Sequence, residues 1–140
     1  MKGYLLVRVD GKAYGLPVNR VLEVSDPGDV RVVPRSLPAV RGLTALRGRL
    51  VPLIHLGALL EGRAAPAGAA ATPGGAVVLV QVGTPARAVA FEVDDADAVV
   101  REQPLPVPGG QSLPWAAGVA EQDGALVPIL DLDALGDRIP

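Results

Sequence analysis

The sequence predicts a mainly β protein built from two similar small barrels or sandwiches. Two observations predict this fold class. Short apolar segments alternate with turns rich in Gly, Pro and Asp along the 140 residues, and one long stretch of the chain occurs twice. Helical patterns are confined to single turns, at 18–24, after Pro38 and in the "GALL" segment at 57–60.

The repeated stretch covers residues 38–59 and 114–135. The two segments align without a gap when each residue is matched with the residue 76 positions later, and nine of the 22 pairs are identical. The first strands also correspond, since "YLLVRV" at 4–9 matches "VVLVQV" at 77–82. A repeat with only two copies predicts two similar subdomains and not a solenoid.

The duplication sets the expected boundaries within one domain spanning 1–140. The first barrel is predicted over 1–62 and the second over 76–140, and the first strand could join either barrel. Residues 63–75 are rich in Ala, Pro and Gly and have no hydrophobic period, so they predict a flexible surface connection.

The turns within each copy predict hairpins. The Asp10–Gly11 turn separates the first two apolar segments, and Asp-Gly between alternating apolar residues is a strong hairpin signal. Arg47–Gly48 and Asp123–Gly124 occupy equivalent turns in the two copies. Pro52 and Pro128 lie at matching places inside apolar strands, where a residue without an N–H predicts an edge or an irregularity in the sheet.

Composition and charge exclude several classes of protein. The chain has no Cys, which excludes a disulfide framework and thiolate chemistry. Its uncharged apolar segments are too short to span a bilayer, and the N-terminus does not resemble a signal peptide, so a cytoplasmic protein is expected. Net charge is −2, but residues 1–62 carry nine Lys or Arg against five Asp or Glu, while 63–140 carry four against ten.

The residues offer little for catalysis or metal binding. His55 is the only histidine, and a single His in an apolar strand is typical of a structural residue. Asp131 and Asp133 have the spacing of a paired-carboxylate site, which leaves a hydrolase as an alternative, although the same spacing is common on solvated strand edges. We therefore expect no catalytic residues, no metal ion and no cofactor.

Nucleic-acid binding is a second alternative, because small barrels often bind single strands. Such a barrel needs a basic face with stacking aromatic residues. The basic first half favours the idea, whereas the net charge and the small number of aromatic residues, four in all, argue against it. The expectation is no nucleic-acid partner.

Several motifs resemble the family of bacterial chemotaxis coupling proteins, the CheW family. They are "AYGLPVNRVLEV", "PRSLPAVRGLTALRGRLVPLIHL", "AVAFEVDDADAVV" and "AAGVAEQDGALVPILDLDAL", which together extend along essentially the whole chain. The match is more specific in the first half, where "LRG" at 46–48 and the glycine at 42 have the family's spacing, than in the second.

The resemblance implies a fold and a function. It implies two SH3-like five-stranded β-barrels and a non-catalytic adaptor that links the cytoplasmic signalling tip of chemoreceptors to the regulatory domain of a histidine kinase. Contact with the membrane would be indirect, through the receptors, and the adaptor could alternate with the kinase in rings.

The resemblance also implies two sets of site residues. The receptor-binding set, carried over by position, is Val21, Glu23, Gly42 and Arg47. The kinase-binding set is Val93, Asp94, Val99 and Gly118. Arg47 is of particular interest because its equivalent in the second copy is Asp123, so the hairpin does not itself require an arginine.

Three positions depart from the family pattern, which usually has Asn at Ala45, Asp at His55 and Arg at Gly57. Because of these departures the resemblance leaves the pathway open. The adaptor could serve flagellar chemotaxis or another chemosensory pathway.

Overall fold

The computed structural model describes residues 3–26, 28–32, 37–66, 75–107 and 115–139. The described residues form ten strands and two short helices. In chain order these are β1 (Tyr4–Val9), β2 (Lys12–Pro17), β3 (Val21–Ser25), β4 (Val40–Leu46), β5 (Arg49–His55), α1 (Leu56–Glu61), β6 (Ala76–Val82), β7 (Arg87–Val93), β8 (Asp95–Val100), β9 (Ala116–Gln122), β10 (Ala125–Leu130) and α2 (Leu132–Gly136).

The strands form two five-stranded sheets, which confirms the mainly β fold class. Sheet A has the order β8-β1-β2-β10-β9, and sheet B has the order β3-β6-β7-β5-β4. Hairpins supply most of the pairing. Two pairs join the copies within each sheet. One is parallel, β2 with β10 in sheet A and β5 with β7 in sheet B, and the other is antiparallel, β1 with β8 in sheet A and β3 with β6 in sheet B.

The predicted boundary between subdomains is corrected by this topology. Each sheet combines strands from 1–62 with strands from 76–140: the first two strands of one copy join the last three of the other. The two copies are thus interleaved through a reciprocal exchange, and β1 joins sheet A. A barrel made from about 60 residues alone would bury a smaller share of its surface than the whole domain does. Interleaving lets the two sheets share one core.

The duplication itself is visible in the structure. The unit β4-β5-α1 corresponds to β9-β10-α2, with strand starts at Val40 and Ala116, and helix starts at Leu56 and Leu132, each 76 residues apart. The "GALL" helix is present as α1, whereas α2 was not predicted although the repeat implies it. In 18–24 only Val18–Arg20 is helical, as one 3₁₀ turn, and β3 follows directly.

Both faces of the inner strands are buried. Sheet A has an apolar cluster of its own, which consists of Tyr4, Leu6, Ala120, Val127 and Ile129. The alternate residues of β1 face a larger core shared by both sheets. The shared core includes Leu5, Val7, Leu16, Ile54, Val80 and Phe91. This double burial explains why "YLLVRV" is a nearly continuous apolar segment.

The outer edges of β4 and β9 are covered in the same way. Arg31 forms two backbone hydrogen bonds with Leu43, at 2.8 and 2.9 Å, and Leu105 forms two with Val119, each 2.8 Å. The covering segment passes over a glycine in each case. A Cβ at Gly42 would lie 2.2 Å from the Arg31 carbonyl oxygen, so this residue has no room for a side chain.

The two repeated prolines lie where parallel pairing begins. Pairing of β5 with β7 begins at Leu53, directly after Pro52, and pairing of β10 with β2 occurs at Ile129, directly after Pro128. Proline has no N–H to give to a second neighbouring strand. The expected irregularity appears in both sheets. It is a register shift between Ile129 and Leu130 in sheet A, and a shift between Val40 and Gly42, opposite Leu53 and Ile54, in sheet B.

The first part of the connection between the copies is bound to the protein. Ala65 is buried and its N–H donates to the Pro38 carbonyl at 2.9 Å. Arg41 donates to the Pro66 carbonyl at 3.1 Å. Residues 63–66 are therefore held in place, contrary to the expected flexible connection over 63–75, of which 67–74 lie outside the described residues.

Neither of the two short helices in the described part of the chain has the length or apolar character needed to cross a membrane.

Candidate functional site

Two of the four residues assigned to the receptor by resemblance meet on one surface. Arg47 Nε lies 3.4 Å from Glu23 Oε1, and the side chains are 56% and 32% exposed. Glu23 also accepts a hydrogen bond from Ser25 Oγ at 3.0 Å. Glu23 lies on β3 and Arg47 follows β4, and these are the two outer strands of sheet B. The ion pair thus joins the opposite edges of the sheet.

The backbone of Arg47 is in the left-handed region. The three two-residue turns have the same conformation, with φ of 52° at Asp10, 52° at Arg47 and 51° at Asp123, each followed by a glycine with positive φ. Asp tolerates this region because its short side chain bonds locally, whereas Arg does not. The sequence indicated only that the hairpin does not require an arginine. The structure shows in addition that Arg47 has a backbone conformation that is unfavourable for arginine.

The other two residues of this set lie below the surface. Val21 is half-buried and packs against the shared core, and the pairing of β3 with β6 shifts between Val21 and Glu23. Gly42 is buried beneath the Arg31 backbone. Neither residue presents an exposed side chain, so Glu23 and Arg47 are the members of this set that a partner can touch.

Exposed apolar side chains lie on the same strand or hairpin as this ion pair, and they were not predicted from the sequence. Leu22 and Val24 are 37% and 47% exposed on β3, where they flank Glu23 along the chain and so point to the opposite face of the strand. Leu50, 54% exposed, lies on β5 close to the Arg47 turn. Their signal in the sequence was the alternation of "VLEVS". We name Leu22, Glu23, Val24, Arg47 and Leu50 the β3 surface.

The kinase-binding set divides in a similar way. Val99 on β8 is 46% exposed. Asp94 is exposed between β7 and β8, and its Oδ2 accepts the Asp10 N–H at 2.8 Å. Val93 is buried in the shared core. Gly118 is buried beneath Leu105, whose carbonyl oxygen would be 2.7 Å from an added Cβ. Val99 and Asp94 are therefore the members that a partner can touch.

His55 and Asp131 have the same structural role in the two copies. His55 Nδ1 accepts the Ala58 N–H at 3.0 Å and caps the N-terminus of α1. Asp131 Oδ1 accepts two N–H groups and caps α2. Capping explains why a histidine and an aspartate occupy equivalent positions.

The pKa of His55 agrees with this role, because an imidazole nitrogen accepts only when it is neutral. Burial lowers the pKa of His55, Arg63 and Arg41 act in the same direction, and Glu92 and Asp10 oppose it.

The acidic pair does not form a catalytic site. The Asp131 carboxylate binds the backbone of α2, and Asp133 forms an ion pair with Arg20 at 2.8 Å. Within the described ranges, no group of three or more His, Cys, Asp or Glu side chains could hold a metal ion. Both aspartates have structural partners, so their spacing in the sequence carries no chemistry.

A buried ion pair that was not predicted from the sequence lies in sheet B. Arg41 Nε on β4 lies 2.5 Å from Glu92 Oε1 on β7, and both side chains are almost fully buried. The same guanidinium holds the Pro66 carbonyl. Charged residues inside the apolar segments "AVRGL" and "AFEV" were the available signal. The pair lies beneath the connection between the copies and fixes its start.

The comparisons with known proteins agree with this architecture. The family model of the CheW-like domain matches residues 3–139. Fifteen chains of solved structures are significantly similar. One is the scaffolding protein TtCheW from Thermoanaerobacter tengcongensis, with a TM-score of 0.76 and 20% identity over 96% of this chain and 91% of that one. No curated protein sequence matches significantly. Members of the family are non-catalytic scaffold proteins of chemotaxis. The chain belongs to the family of CheW-like domains.

Proposed function

We propose that this protein is a cytoplasmic adaptor that couples chemoreceptors to a CheA-type histidine kinase. Membership in a family of scaffold proteins supports the general role. The observation that carries the specific proposal is the contact between Glu23 and Arg47, since it brings two residues of the receptor-binding set onto one exposed surface. The pathway is chemotaxis or a related chemosensory system.

The β3 surface has the properties of a protein-binding site. Three exposed apolar side chains, Leu22, Val24 and Leu50, lie on the strand and hairpin that carry an ion pair of which one member is more than half exposed. Interfaces combine apolar contact with a polar rim, and Arg is enriched in them. The strained backbone of Arg47 adds support, because strain that folding does not require is often kept for binding.

A reciprocal substitution tests the receptor contact. In Arg47→Asp the turn keeps a residue suited to its φ, but the cation that pairs with Glu23 becomes an anion. We expect receptor affinity to fall at least about 10-fold, as for a lost charged contact in an interface, with kinase affinity unchanged. Binding to a purified receptor cytoplasmic fragment is measured by biolayer interferometry.

The equivalent turn supplies the control. Asp123→Arg makes the opposite exchange at a turn of the same conformation, so it should leave receptor affinity unchanged. If both variants weaken receptor binding equally, or if neither does, Arg47 has no role in recognition. Circular dichroism confirms that each variant is folded.

The kinase side of the proposal uses β8. Val99 provides exposed apolar area, and Asp95 and Asp97 on the same strand are exposed. Acidic residues at the rim of an interface mainly raise the association rate. Asp95→Asn with Asp97→Asn should slow association with the kinase regulatory domain and reduce its salt dependence, and Val99→Ser should speed dissociation. Stopped-flow rates that respond to neither change would contradict this part.

An adaptor with separate surfaces for two partners can alternate with the kinase. Contacts of this heterologous type close into rings or extend as filaments. We propose ring-like assembly with the kinase regulatory domain, to be tested by negative-stain electron microscopy of the mixed proteins. Discrete 1:1 complexes at high concentration would count against it.

A further inference from the structure

A groove on sheet A is separate from the β3 surface and borders β8, because its lining residue Arg8 pairs with Asp95 in the strand register. It has a volume of about 420 Å³ and lies between the β1–β2 turn and β10. Its principal lining residues are Arg8, Lys12, Tyr14, Trp115, Leu126 and Pro128. The volume is within the range of about 300–1,000 Å³ found for ligand pockets, which is room for one or two large apolar side chains.

The floor of the groove is aromatic. The rings of Tyr14 and Trp115 meet edge-to-face with centroids 5.8 Å apart, a favourable aromatic geometry. Leu126 is 65% exposed at the side of the groove. Leucine on a strand with such exposure leaves apolar area that a bound side chain could cover.

The charged residues of the groove have one sign. Arg8 and Lys12 line it, and no acidic residue does. Lys12 Nζ is 3.8 Å from a Glu61 oxygen, but both side chains are well exposed, and an ion pair of this kind is weak. In the described part of the chain, Arg8 forms no ion pair. A basic rim in a chain of net charge −2 favours an acidic partner.

The groove is not a consequence of the repeated fold. By strand register, Tyr14 pairs with Val7 in sheet A, and its equivalent Val89 pairs with Val80 in sheet B. The residue equivalent to Trp115, 76 positions earlier, is Ala39. Sheet B therefore lacks both aromatic residues, and this groove is a specific property of sheet A.

We propose that the groove docks a short segment of a partner protein in which an apolar side chain is flanked by carboxylates. The apolar side chain covers Leu126 and the aromatic floor, and the carboxylates face Arg8 and Lys12. A nucleic-acid strand fits less well, because Tyr14 is only 8% exposed and offers no free ring face for stacking. This inference is independent of the adaptor function.

Trp115 reports occupancy directly, because it is the only tryptophan in the chain. The probe is the amidated hexapeptide EDLFED, titrated into the full-length protein while tryptophan emission is recorded. We expect a saturable blue shift, as the indole becomes more buried. The control peptides are KKLFKK, with reversed charge, and EDGSED, without the apolar residues, and neither should produce the shift.

Matched variants locate the binding. Leu126→Ser and the double change Arg8→Gln with Lys12→Gln should each weaken EDLFED binding at least about 10-fold. Leu50→Ser, at the equivalent exposed position of sheet B, should leave it unchanged. All these side chains are exposed, so the variants should fold, and thermal unfolding checks this.

Four results would overturn the proposal. The first is equal binding of KKLFKK, and the second is an equal loss in Leu50→Ser. The third is a shift caused by oligo(dT), which would make this a nucleic-acid site. The fourth is a shift that depends on protein concentration without peptide, which would identify a second copy as the occupant.

Discussion

The cap of α1 makes the stability of this protein depend on pH near neutrality. His55 Nδ1 must be unprotonated to accept the Ala58 N–H, and the pKa of His55 is lowered, chiefly by burial. The unfolded chain has an ordinary histidine pKa of about 6.5. Above that pH His55 is neutral in both states and the cap is fully effective. As pH falls below it, the unfolded state binds a proton that the folded state resists, so stability declines until pH passes the folded pKa.

The size of the change in unfolding free energy has two contributions, the cap and the proton. Loss of an N-cap costs about 0.5–2 kcal/mol, and the uptake of a proton by the unfolded state alone costs up to about 1.4 kcal/mol for each pH unit between the two pKa values. His55→Asn retains a capping acceptor without a titrating group. We therefore expect it to remove the decline between pH 7.5 and 5.5. His55→Ala should be less stable than the wild type by about 1 kcal/mol or more at pH 7.5, and this difference should shrink as pH falls.

The assay is urea unfolding followed by circular dichroism at pH values from 5 to 8, with the histidine pKa measured by NMR. The charged groups facing His55 are Glu92, Asp10, Arg63 and Arg41. Asp131→Asn, which changes the equivalent cap of α2, serves as the control. It should leave the dependence of the free energy of unfolding on pH unchanged near pH 6. An equal pH dependence in the wild type and His55→Asn, or a His55 pKa above 6.5, would refute the reasoning.

Three further predictions concern stability and are measured by urea unfolding. Arg47→Asn relieves the left-handed strain and should raise stability by about 0.5 kcal/mol after loss of a weak surface ion pair; a lower stability would show that the pair outweighs the strain. Tyr4 is buried and its hydroxyl has no hydrogen-bond partner among the described residues, so Tyr4→Phe should stabilise by about 1 kcal/mol, and a loss would reveal a partner. Glu92→Leu should lower the free energy of unfolding by about 3–5 kcal/mol, because it leaves the Arg41 charge buried without this carboxylate. Adding Arg41→Met should restore most of that stability, and no recovery would indicate that the loss comes from packing and not from the buried charge.

Local features of the fold were predictable because they depend on residues close in sequence. Glycine follows the first turn residue in all three two-residue hairpins, and each has positive φ there. Alternating or continuous apolar residues placed the strands, and the repeat implied two equivalent sets of elements. The site residues Glu23 and Arg47 could be named by resemblance, whereas their contact spans 24 residues of chain and two outer strands of a sheet.

The sequence by itself therefore determined the strands, the hairpins and the duplication of this protein. The tertiary structure alone decided which copy each strand joins, because the copies have almost the same apolar pattern and local preference cannot distinguish pairing within a copy from pairing between copies. It also decided that Arg41 and Glu92 meet in the interior and that Tyr14 and Trp115 form one groove. These contacts join residues about 50 and 100 positions apart, so their energies depend on burial and neighbours that only the packed sheets provide.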